Sequence, residues 1–326
     1  MIEILLKEWI EQVKYYIHLI ADYSIKESQV GAVLDDVLNL SGKMLRSKLL
    51  LLCAFLGSNW KNNKEKICKL AAMVELTHLA SLIHDDIVDD SPYRRGKVSV
   101  QGKYGKDAAV FAGDFLIARI FYYGAVENLN EAVSILSKTV EYMCIGEIEQ
   151  DLCRYQEDIS EKKYFENIER KTAALFQAAS YIGAKEAGCS EKIIQKLELF
   201  VKNLGLMFQL KDDILDFTSN SKELGKETHK DFQNGIYTFP VIMALKNLKA
   251  KEVLLPIMRK NKEEKLSLAE ILQLQNYIIQ FGGIEASYEK IKYLSNINRQ
   301  LIKKLGQNSK ITVYLEKILN DLEVEN

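Results

Sequence analysis

The chain has 326 residues, of which 48% are hydrophobic and 27% charged, and its formal net charge is −1. This composition can bury a sizeable core and lacks the basic excess of a nucleic-acid-binding protein, so we expect no nucleic-acid partner. Five cysteines occur without a CxxC pair, which argues against a structural zinc site and a disulfide framework. We therefore expect a reducing compartment, the cytoplasm.

Helices are the predicted building blocks, because only three prolines interrupt the chain and the apolar residues mostly recur at three- and four-residue steps. The N-terminal segment from Met1 to Trp9 carries acidic side chains where a signal peptide carries positive charge, so no secretion signal is predicted. The most membrane-like stretch, residues 108–126, contains Asp114 and Arg119 and is interpreted as a buried helix. We therefore expect an all-α protein without a transmembrane segment.

Interruptions of the apolar pattern set the predicted order of elements. Ser91-Pro92 ends a long helix, since the residue before proline is pushed out of the α region. Residues 218–239 contain two glycines and no apolar period, which indicates a long ordered loop or lid. The prediction begins with amphipathic helices over 1–56 with a break at 39–43, a helix over 66–90, a basic loop over 93–105 and a hydrophobic helix from about 107. It continues with helices within 130–157, 161–187 and 191–217, the loop over 218–239, and helices from Pro240 onward with a break at Gly282-Gly283.

One acidic pattern occurs twice, as Asp-Asp-Ile-Val-Asp at residues 85–89 and Asp-Asp-Ile-Leu-Asp at residues 212–216. On a helix, residues four apart lie on one face about 5–6 Å apart, so each pattern contains a carboxylate pair. Like charges at this spacing repel and require a neutralising partner. Mg²⁺, a hard divalent ion with oxygen ligands, meets that requirement.

The surroundings of the two acidic clusters favour a paired metal site. A single such cluster is most often a solvated helix end. Here both clusters follow apolar runs, residues 79–83 and 204–210, which predicts that the acids lie at the rim of a hydrophobic cavity. The repeat and its position together predict two aspartate-rich helices that face each other across a cavity and share Mg²⁺.

Several basic residues are candidates for binding phosphate. Arg94 and Arg95 follow the first acidic cluster, and Lys43 and Arg46 are three residues apart, which is expected to place them on one helical face. Arginine binds phosphate oxygens bidentately, and lysine acts as a compact point charge. Each of these pairs, taken alone, is as readily an ordinary set of surface cations.

Three further polar residues adjoin apolar runs. Lys171 precedes such a run and can simply extend to solvent, and Lys226 follows the second acidic cluster. Gln209 lies one turn before that cluster and, taken alone, is most readily a satisfied core amide. These residues indicate a functional site only when they are considered together with the acidic clusters.

These residues, in this order, resemble the trans-isoprenyl diphosphate synthase family, also called polyprenyl synthetases, over nearly the whole chain. The resemblance implies a single all-α domain over residues 1–326, a helical bundle around a central cavity with the isoprenoid synthase fold, usually as a dimer. The matching segments are Gly42-Lys43-x-x-Arg46, His78, Leu82-Ile-His-Asp85-Asp86-Ile-Val-Asp89-Asp90, Arg94-Arg95-Gly96-Lys97, Gly113-Asp114, Gly146-Glu147-x-x-Gln150, Lys171-Thr172, Gly205-x-x-Phe208-Gln209-x-x-Asp212-Asp213-Ile-Leu-Asp216-Phe217, Leu224-Gly225-Lys226 and Gly283-Ile284-Glu285.

The resemblance also implies roles for the matching residues in condensing isopentenyl diphosphate with an allylic diphosphate. Asp85, Asp89 and Asp212 would ligate a cluster of three Mg²⁺ ions that binds the allylic diphosphate. The wider catalytic set implied is Asp85, Asp86, Asp89, Asp212, Asp213, Asp216 and Lys171. The implied substrate-binding residues are Arg94, Lys171 and Lys226 for the allylic diphosphate, Lys43, Arg46, His78 and Arg95 for isopentenyl diphosphate, and Thr172 and Gln209 beside the reacting ends.

Three residues depart from the family pattern. Met44 stands where an arginine is often found, and Ser47 and Glu227 stand where prolines are usual. None of these departures removes an implied ligand. The departures leave open how isopentenyl diphosphate is bound and what shape the predicted lid has when closed.

Small residues before the first acidic cluster bear on the length of the product. Steps of four and five residues back from Asp85 reach Ser81 and Ala80, and Thr77 lies deeper. In the family, bulky aromatic residues at such positions stop the growing chain early, so their absence implies a medium- or long-chain product such as a heptaprenyl or octaprenyl diphosphate. Close helix packing is the alternative reason for small residues. A deeper floor could come from Phe111, Phe115, Tyr122 and Tyr123 of the next helix.

Rival functions remain open from the sequence. A short-chain farnesyl or geranylgeranyl diphosphate synthase uses the same parts. A class I terpene cyclase would not need cations for a second diphosphate, and a non-catalytic partner subunit should lack one acidic cluster. The chain could equally be the catalytic half of a heteromer. His18, His84 and His229 are interpreted as structural or solvated.

Overall fold

The computed structural model describes residues 2–22, 28–39, 42–94, 96–218, 230–305 and 310–323 and is helical over nearly all of them. The predicted all-α class is confirmed. A π-helix, Glu169–Ala173, joins the helix Glu161–Ile168 to the helix Ala174–Glu186. The α-helices are α1 (Ile2–Ile20), α2 (Gln29–Leu38), α3 (Leu45–Ala54), α4 (Lys64–Val88), α5 (Val100–Tyr104), α6 (Lys106–Val126), α7 (Asn130–Leu152), α8 (Glu161–Ile168), α9 (Ala174–Glu186), α10 (Glu191–Thr218), α11 (Lys230–Gln233), α12 (Phe239–Ala244), α13 (Leu248–Glu263), α14 (Leu268–Gln280), α15 (Gly283–Leu305) and α16 (Lys310–Glu323).

A short hairpin replaces the basic loop that was predicted after α4. Strands β1 (Tyr93–Arg94) and β2 (Lys97–Val98) pair antiparallel around Gly96, whose φ of 74° glycine adopts without steric cost. The loop prediction over 93–105 is therefore wrong, because this segment also contains α5. Ser99 caps α5 by accepting a hydrogen bond from the Gly102 N–H at 3.1 Å.

The start of α3 corrects a second prediction. Met44 has a left-handed backbone with φ 51°, and α3 begins at the next residue. Lys43 therefore precedes the helix, and the expectation that it shares a helical face with Arg46 is wrong. The long helix before Pro92 and the break before Gly283 are confirmed. Of the predicted lid, residues 219–229 lie outside the described residues, and the described remainder contains α11.

The contacts within the chain group its residues into two compact units. Unit 1 comprises Met1–Val140 and Leu175–Leu199, and unit 2 comprises Glu141–Ala174 and Phe200–Asn326. The first acidic cluster belongs to unit 1 and the second to unit 2. The single domain over residues 1–326 stays a prediction.

Helix α4 is the centre of unit 1, where α1, α3 and α6 pack against it. Most of its side chains are buried, as expected for a helix that is apolar on nearly all sides. Near its N-terminal end the Trp9 ring of α1 packs edge-on against Phe55, with centroids 4.9 Å apart. The core of unit 2 is a separate cluster that includes Phe217, Phe232, Val241, Leu254, Leu274 and Ile278.

Glycine at position 183 allows α9 to approach α3 in unit 1. A Cβ atom at Gly183 would lie closer than 3.0 Å to the carbonyl oxygen of Leu50, and backbone cannot move aside as a side chain can. We expect Gly183→Ala to lower the free energy of unfolding by about 1–3 kcal/mol, measured by urea denaturation. Lys185→Ala, an exposed change on the same helix, is the control. Equal stability of the two variants would show that the approach is not tight.

Two helices are long and apolar enough to cross a membrane on length and composition alone, α4 and α6. In α4, 72% of the apolar window is buried inside the fold, as in the core helix of a soluble protein. In α6 the buried share is 33%, and the helix carries Asp114 and Arg119. For the described residues this is weak evidence of a span.

Candidate functional site

The first acidic cluster lies at the C-terminal end of α4. Asp85 and Asp89 are half-buried, and the Asp89 N–H donates to the Asp85 carbonyl oxygen at 2.9 Å, which closes the last helical turn. Asp86 instead is only 2% exposed. The helix therefore presents the first and last carboxylates of the pattern and buries the middle one.

Asp86 connects the end of α4 to the hairpin and to α5. Its Oδ1 accepts hydrogen bonds from both Nε and Nη2 of Arg94 at 2.7 Å. Its carbonyl oxygen accepts from the Gln101 side chain at 2.7 Å and from the Ser91 N–H at 2.9 Å. These contacts hold the Asp86 carboxylate and backbone in place, and the catalytic role implied for Asp86 stays a prediction. Arg94 has five N–H donors, so it retains donors for a second anion.

Arg46 and His78, two predicted ligands of one diphosphate, lie together in unit 1. Arg46 Nη1 is 2.9 Å from His78 Nε2. The Arg46 guanidinium also stacks on the ring of Phe176, with 4.5 Å from Cζ to the ring centroid. Phe176 is fully buried on α9 and was missed by the sequence analysis. Lys43 is exposed. Arg95 and Lys226 lie outside the described residues.

A buried carboxylate accounts for the serine at position 47. The Ser47 hydroxyl donates to Glu75 Oε2 at 2.8 Å and lies 3.0 Å from the Ala71 carbonyl oxygen. Both side chains are buried, and a buried carboxylate is costly without hydrogen bonds. Proline at position 47 would leave Glu75 without this donor, so the departure from the family pattern has a structural reason.

His84 has structural contacts, as the sequence analysis expected. Its Nε2 is 3.3 Å from the Val110 carbonyl oxygen and 3.4 Å from Asp114 Oδ1 on α6. A Cβ atom at Gly113 would lie closer than 3.0 Å to the imidazole. The Gly113-Asp114 motif therefore makes room for His84 and lets α4 and α6 pack closely.

The residues predicted to set chain length are small and internal. Ala80 and Thr77 are buried, and Ser81 is half-buried. The Thr77 hydroxyl donates to the Met73 carbonyl oxygen and the Ser81 hydroxyl to that of His78, both at 2.9 Å. Both hydroxyls are thus turned onto their own helix backbone.

The alternative floor on α6 is only partly internal. Phe111 and Tyr122 are 71% and 62% exposed, so the suggestion that they form a deeper cavity floor is wrong for this chain. Phe115 is half-buried. Tyr123 is buried, and burial raises the pKa of its hydroxyl to about 12. Of the four aromatic residues, only these last two remain candidates.

The second acidic cluster repeats the arrangement of the first at the end of α10. Asp212 is exposed and Asp216 half-buried, whereas Asp213 is 2% exposed. Burial raises the pKa of Asp213 to about 7, an effect that hydrogen bonds from Tyr164 and Gln209 oppose. As with Asp86, these contacts hold the middle aspartate in place, and the catalytic role implied for it stays a prediction.

Asp213 belongs to a line of hydrogen bonds in unit 2. The Tyr164 hydroxyl donates to Asp213 Oδ2 at 2.5 Å, and Gln209 Nε2 donates to Oδ1 at 2.9 Å. Gln209 Oε1 in turn accepts from the Thr172 hydroxyl at 2.8 Å. The structure thus brings together Thr172 and Gln209, which the sequence predicted, and adds Tyr164, which it missed because a tyrosine 49 residues away carries no local signal.

The π-helix carries Lys171 and Thr172 on one widened turn, a feature that is frequent at functional sites. Lys171 Nζ is 2.9 Å and 3.0 Å from the two carboxylate oxygens of Glu147. A Cβ atom at Gly146 would lie 3.0 Å from the Lys171 backbone nitrogen. Gly146-Glu147 therefore holds α7 close to the π-helix and orients Lys171.

A small cleft in unit 2 opens beside this line. Lys171 and Asp231 bring charges of opposite sign to it. Asn167 Oδ1 and Thr238 Oγ1 are buried without a hydrogen-bond partner among the described residues. The other lining residues are Gln150, Cys153, Ile159, Tyr164, Ile168, Gln209, Asp213, Ile236 and Tyr237.

The presented carboxylates suit Mg²⁺ that is completed by other ligands. No preformed group of three or more acidic, histidine or cysteine side chains suited to a metal occurs in the described part of the chain. Mg²⁺ in proteins is commonly held by one or two carboxylates, with water and substrate phosphate oxygens completing the octahedron. The outer aspartates of each cluster provide that donor set.

Known proteins resemble this chain along most of its length. The model of the polyprenyl synthetase family matches residues 27–275. Heptaprenyl diphosphate synthase component 2 of Geobacillus stearothermophilus is 34% identical over 265 residues, 80% of this chain and 80% of that protein. The short chain isoprenyl diphosphate synthase of Methanocaldococcus jannaschii is 36% identical over 263 residues, 77% of this chain and 78% of that protein.

The fold is similar to that of a solved family structure. A polyprenyl synthase from Caulobacter crescentus, complexed with calcium and isoprenyl diphosphate, aligns with a TM-score of 0.88 and 29% identity over 98% of this chain and 95% of that one. The all-α isoprenoid synthase fold implied by the sequence is thus confirmed. The chain belongs to the polyprenyl synthetase family.

Proposed function

We propose that this protein condenses isopentenyl diphosphate head-to-tail with an allylic diphosphate, in a Mg²⁺-dependent reaction, to give an all-trans medium- or long-chain polyprenyl diphosphate. The observation that supports this most directly is the shared design of the two acidic clusters. In each, a buried middle aspartate is held by fixed partners, while the outer two are less buried than it is. Two such clusters fit an enzyme better than a partner subunit.

The proposed ligands of the magnesium ions are Asp85, Asp89 and Asp212, and three ions are proposed. When bound, Mg²⁺ neutralises the charge that develops on the departing diphosphate. Arg94, Lys171 and Lys226 are proposed to hold the same diphosphate. In the structure Arg94 contacts Asp86 and Lys171 contacts Glu147, so both cations are already oriented. Fixed donors of this kind cost little reorganisation during reaction.

Isopentenyl diphosphate is proposed to bind to Lys43, Arg46, His78 and Arg95. Arg46 supplies a planar guanidinium that can bind phosphate oxygens bidentately. The Phe176 ring stacks on this group, and His78 contacts its Nη1. Thr172 and Gln209 are proposed to border the reacting ends. An apolar helical surround excludes water, which would otherwise trap the allylic cation before the double bond attacks. The released diphosphate is a sufficient base for the final proton.

Chain length is proposed from the α4 side chains. Ala80, Ser81 and Thr77 place no bulky side chain on this stretch of α4, and one helical turn rises about 5.4 Å, close to one isoprene unit. The relative named a heptaprenyl diphosphate synthase component fits this reading, and the short chain relative supports a farnesyl or geranylgeranyl product as the alternative.

Incubation of the purified chain with labelled isopentenyl diphosphate, farnesyl diphosphate and Mg²⁺ tests the function. The proposal predicts a ladder of linear diphosphates longer than farnesyl. A cyclic hydrocarbon would identify a terpene cyclase. Absence of turnover with the chain alone would contradict an enzyme that works without a partner, and would favour the two-component arrangement suggested by the relative's name.

An apolar stripe on α7 is the proposed contact of a homodimer. Tyr142, Ile145, Ile148 and Leu152 recur at three- and four-residue steps and are all exposed. Contiguous exposed apolar surface of this kind marks interaction sites. A second copy of the chain is the proposed occupant. All five cysteines are free thiols, which supports the proposed cytoplasmic location.

We expect Ile148→Asp combined with Leu152→Asp to convert a dimer to a monomer, measured by size-exclusion chromatography with light scattering. A charge buried in the interface would carry a desolvation cost of several kcal/mol. Leu248→Asp, a change at another exposed leucine, is expected to leave the mass unchanged. A wild-type chain that is itself monomeric would contradict the homodimer and point to a different subunit on this stripe.

A further inference from the structure

Tyr164 lies outside the residues that the family resemblance assigns, yet it contacts the line that leads to the proposed reacting ends. It is on α8, directly before the π-helix that carries Lys171 and Thr172. Its ring is buried and packs on Phe239, with centroids 5.4 Å apart. The aromatic body is therefore fixed, and its hydroxyl is held against Asp213.

The chemistry of the line determines how each group is oriented. Gln209 turns its NH₂ group toward Asp213, whose Oδ1 accepts a hydrogen bond from Nε2. The Gln209 carbonyl oxygen is then directed to Thr172, which must donate its hydroxyl hydrogen. An amide rotated by a half-turn would place two acceptors face to face at Asp213. The orientation of both proposed reaction-site groups thus depends on where Asp213 is held.

Tyr164 is the donor that holds the second oxygen of Asp213, at 2.5 Å. With both oxygens engaged, the carboxylate is fixed between α8 and α10. Without the hydroxyl, Oδ2 of a buried carboxylate would lose this donor, and the carboxylate would be driven to rotate toward another. The Tyr164–Asp213 hydrogen bond also connects α8, which leads into the π-helix of Lys171 and Thr172, to α10, which carries Gln209.

We infer that Tyr164 is a positioning residue that acts through Asp213 to fix the Gln209 amide and the Thr172 hydroxyl at the reacting ends of the prenyl groups. This inference rests on the proposed function for its kinetic consequence. Its structural content, a single fixed orientation of the Gln209 side chain, is independent of any activity.

Tyr164→Phe removes the hydroxyl and keeps the ring. We expect the single-turnover rate of the first condensation to fall about tenfold or more, while the KM values for both diphosphates change less than about twofold. Tyr155→Phe is the matched control, because within the described part of the chain the Tyr155 hydroxyl donates only to the Gln233 carbonyl oxygen, at 3.4 Å, in the same unit. Equal rates for Tyr164→Phe and wild type would overturn the inference.

A double-mutant cycle separates positioning from general destabilisation. If Tyr164 acts through Gln209, Tyr164→Phe should have little further effect on the rate in a Gln209→Ala background, since the two changes break one connected line. Full additivity of the two losses would overturn the inference and leave Tyr164 a stabilising core residue.

Nuclear magnetic resonance of protein labelled with ¹⁵N-glutamine provides a readout without turnover. The Gln209 side-chain amide signals, identified by their loss in Gln209→Asn, should shift in Tyr164→Phe and stay in place in Tyr155→Phe. An unchanged Gln209 signal in Tyr164→Phe would contradict the inference even in an inactive protein. Failure of the proposed function would appear differently, as a wild-type protein without condensation activity but with the expected amide shift.

Discussion

Replacement of Asp85 or Asp212 by asparagine is expected to reduce condensation at least about 10³-fold, because each change removes a charged metal ligand while keeping side-chain size. Both side chains reach the surface of a helix end, so neither substitution should disturb the core. The activity that remains should require more Mg²⁺ for half-saturation. Steady-state incorporation of labelled isopentenyl diphosphate over a range of Mg²⁺ concentrations measures both effects.

Asp107→Asn is the matched control for these variants, since Asp107 is an exposed aspartate in the first turn of α6. It should retain wild-type activity and Mg²⁺ dependence. If Asp85→Asn or Asp212→Asn kept more than about a third of wild-type activity, that cluster would not be a metal ligand set, and the assignment of the reaction to it would fall.

Ser81→Phe is expected to shorten the product, because an aromatic ring one helical turn from Asp85 would occupy the space into which the prenyl chain grows. Ser81 is half-buried, so it accepts a larger side chain more readily than Ala80, which is buried and where overpacking costs about 1–3 kcal/mol. Mass spectrometry of the dephosphorylated products should show a distribution several isoprene units shorter than that of the wild type.

Ser81→Ala serves as the control for product length. It removes the hydroxyl that donates to the His78 carbonyl oxygen but adds no bulk, so the product distribution should be unchanged. An active Ser81→Phe variant with wild-type product length would show that the limit lies elsewhere. Phe115 and Tyr123 of α6 would then be the next residues to change.

The features predicted correctly from sequence are those with local causes. The carboxylate pairs follow from residues four apart on a helix, and the end of α4 follows from Ser91-Pro92. The repeat of the acidic pattern was visible without a structure because the two copies have nearly the same residues, and the apolar run before each copy predicted its place at a helix end. Secondary structure and the main polar residues were therefore accessible.

The features that were missed depend on partners distant in sequence. Nothing near Tyr164 indicates that it contacts Asp213, and nothing near Phe176 indicates that it stacks on Arg46. The left-handed backbone of Met44 carries no side-chain signal, so the face shared by Lys43 and Arg46 was predicted wrongly. The burial of Asp86 and Asp213 was hidden because all three aspartates of each pattern look alike in the sequence.

The same distinction explains the departures from the family pattern. Ser47 stands where the family usually has proline, and its hydrogen bond to Glu75, a buried acceptor on another helix, accounts for the serine. Gly113 and Gly146 match the family pattern, and the structure adds the physical reason, close approach to His84 and to Lys171. Long-range packing thus accounts for residues whose neighbours in the sequence do not explain them.

The most direct test of the account is a crystal structure with Mn²⁺ in place of Mg²⁺ and a non-cleavable allylic thiodiphosphate, in which anomalous scattering locates the ions. The account predicts Mn²⁺ ions ligated by Asp85 and Asp89 and by Asp212, all bridged by oxygens of the one diphosphate. Ions bound at only one of the two clusters, or a diphosphate held without contact to either, would contradict it.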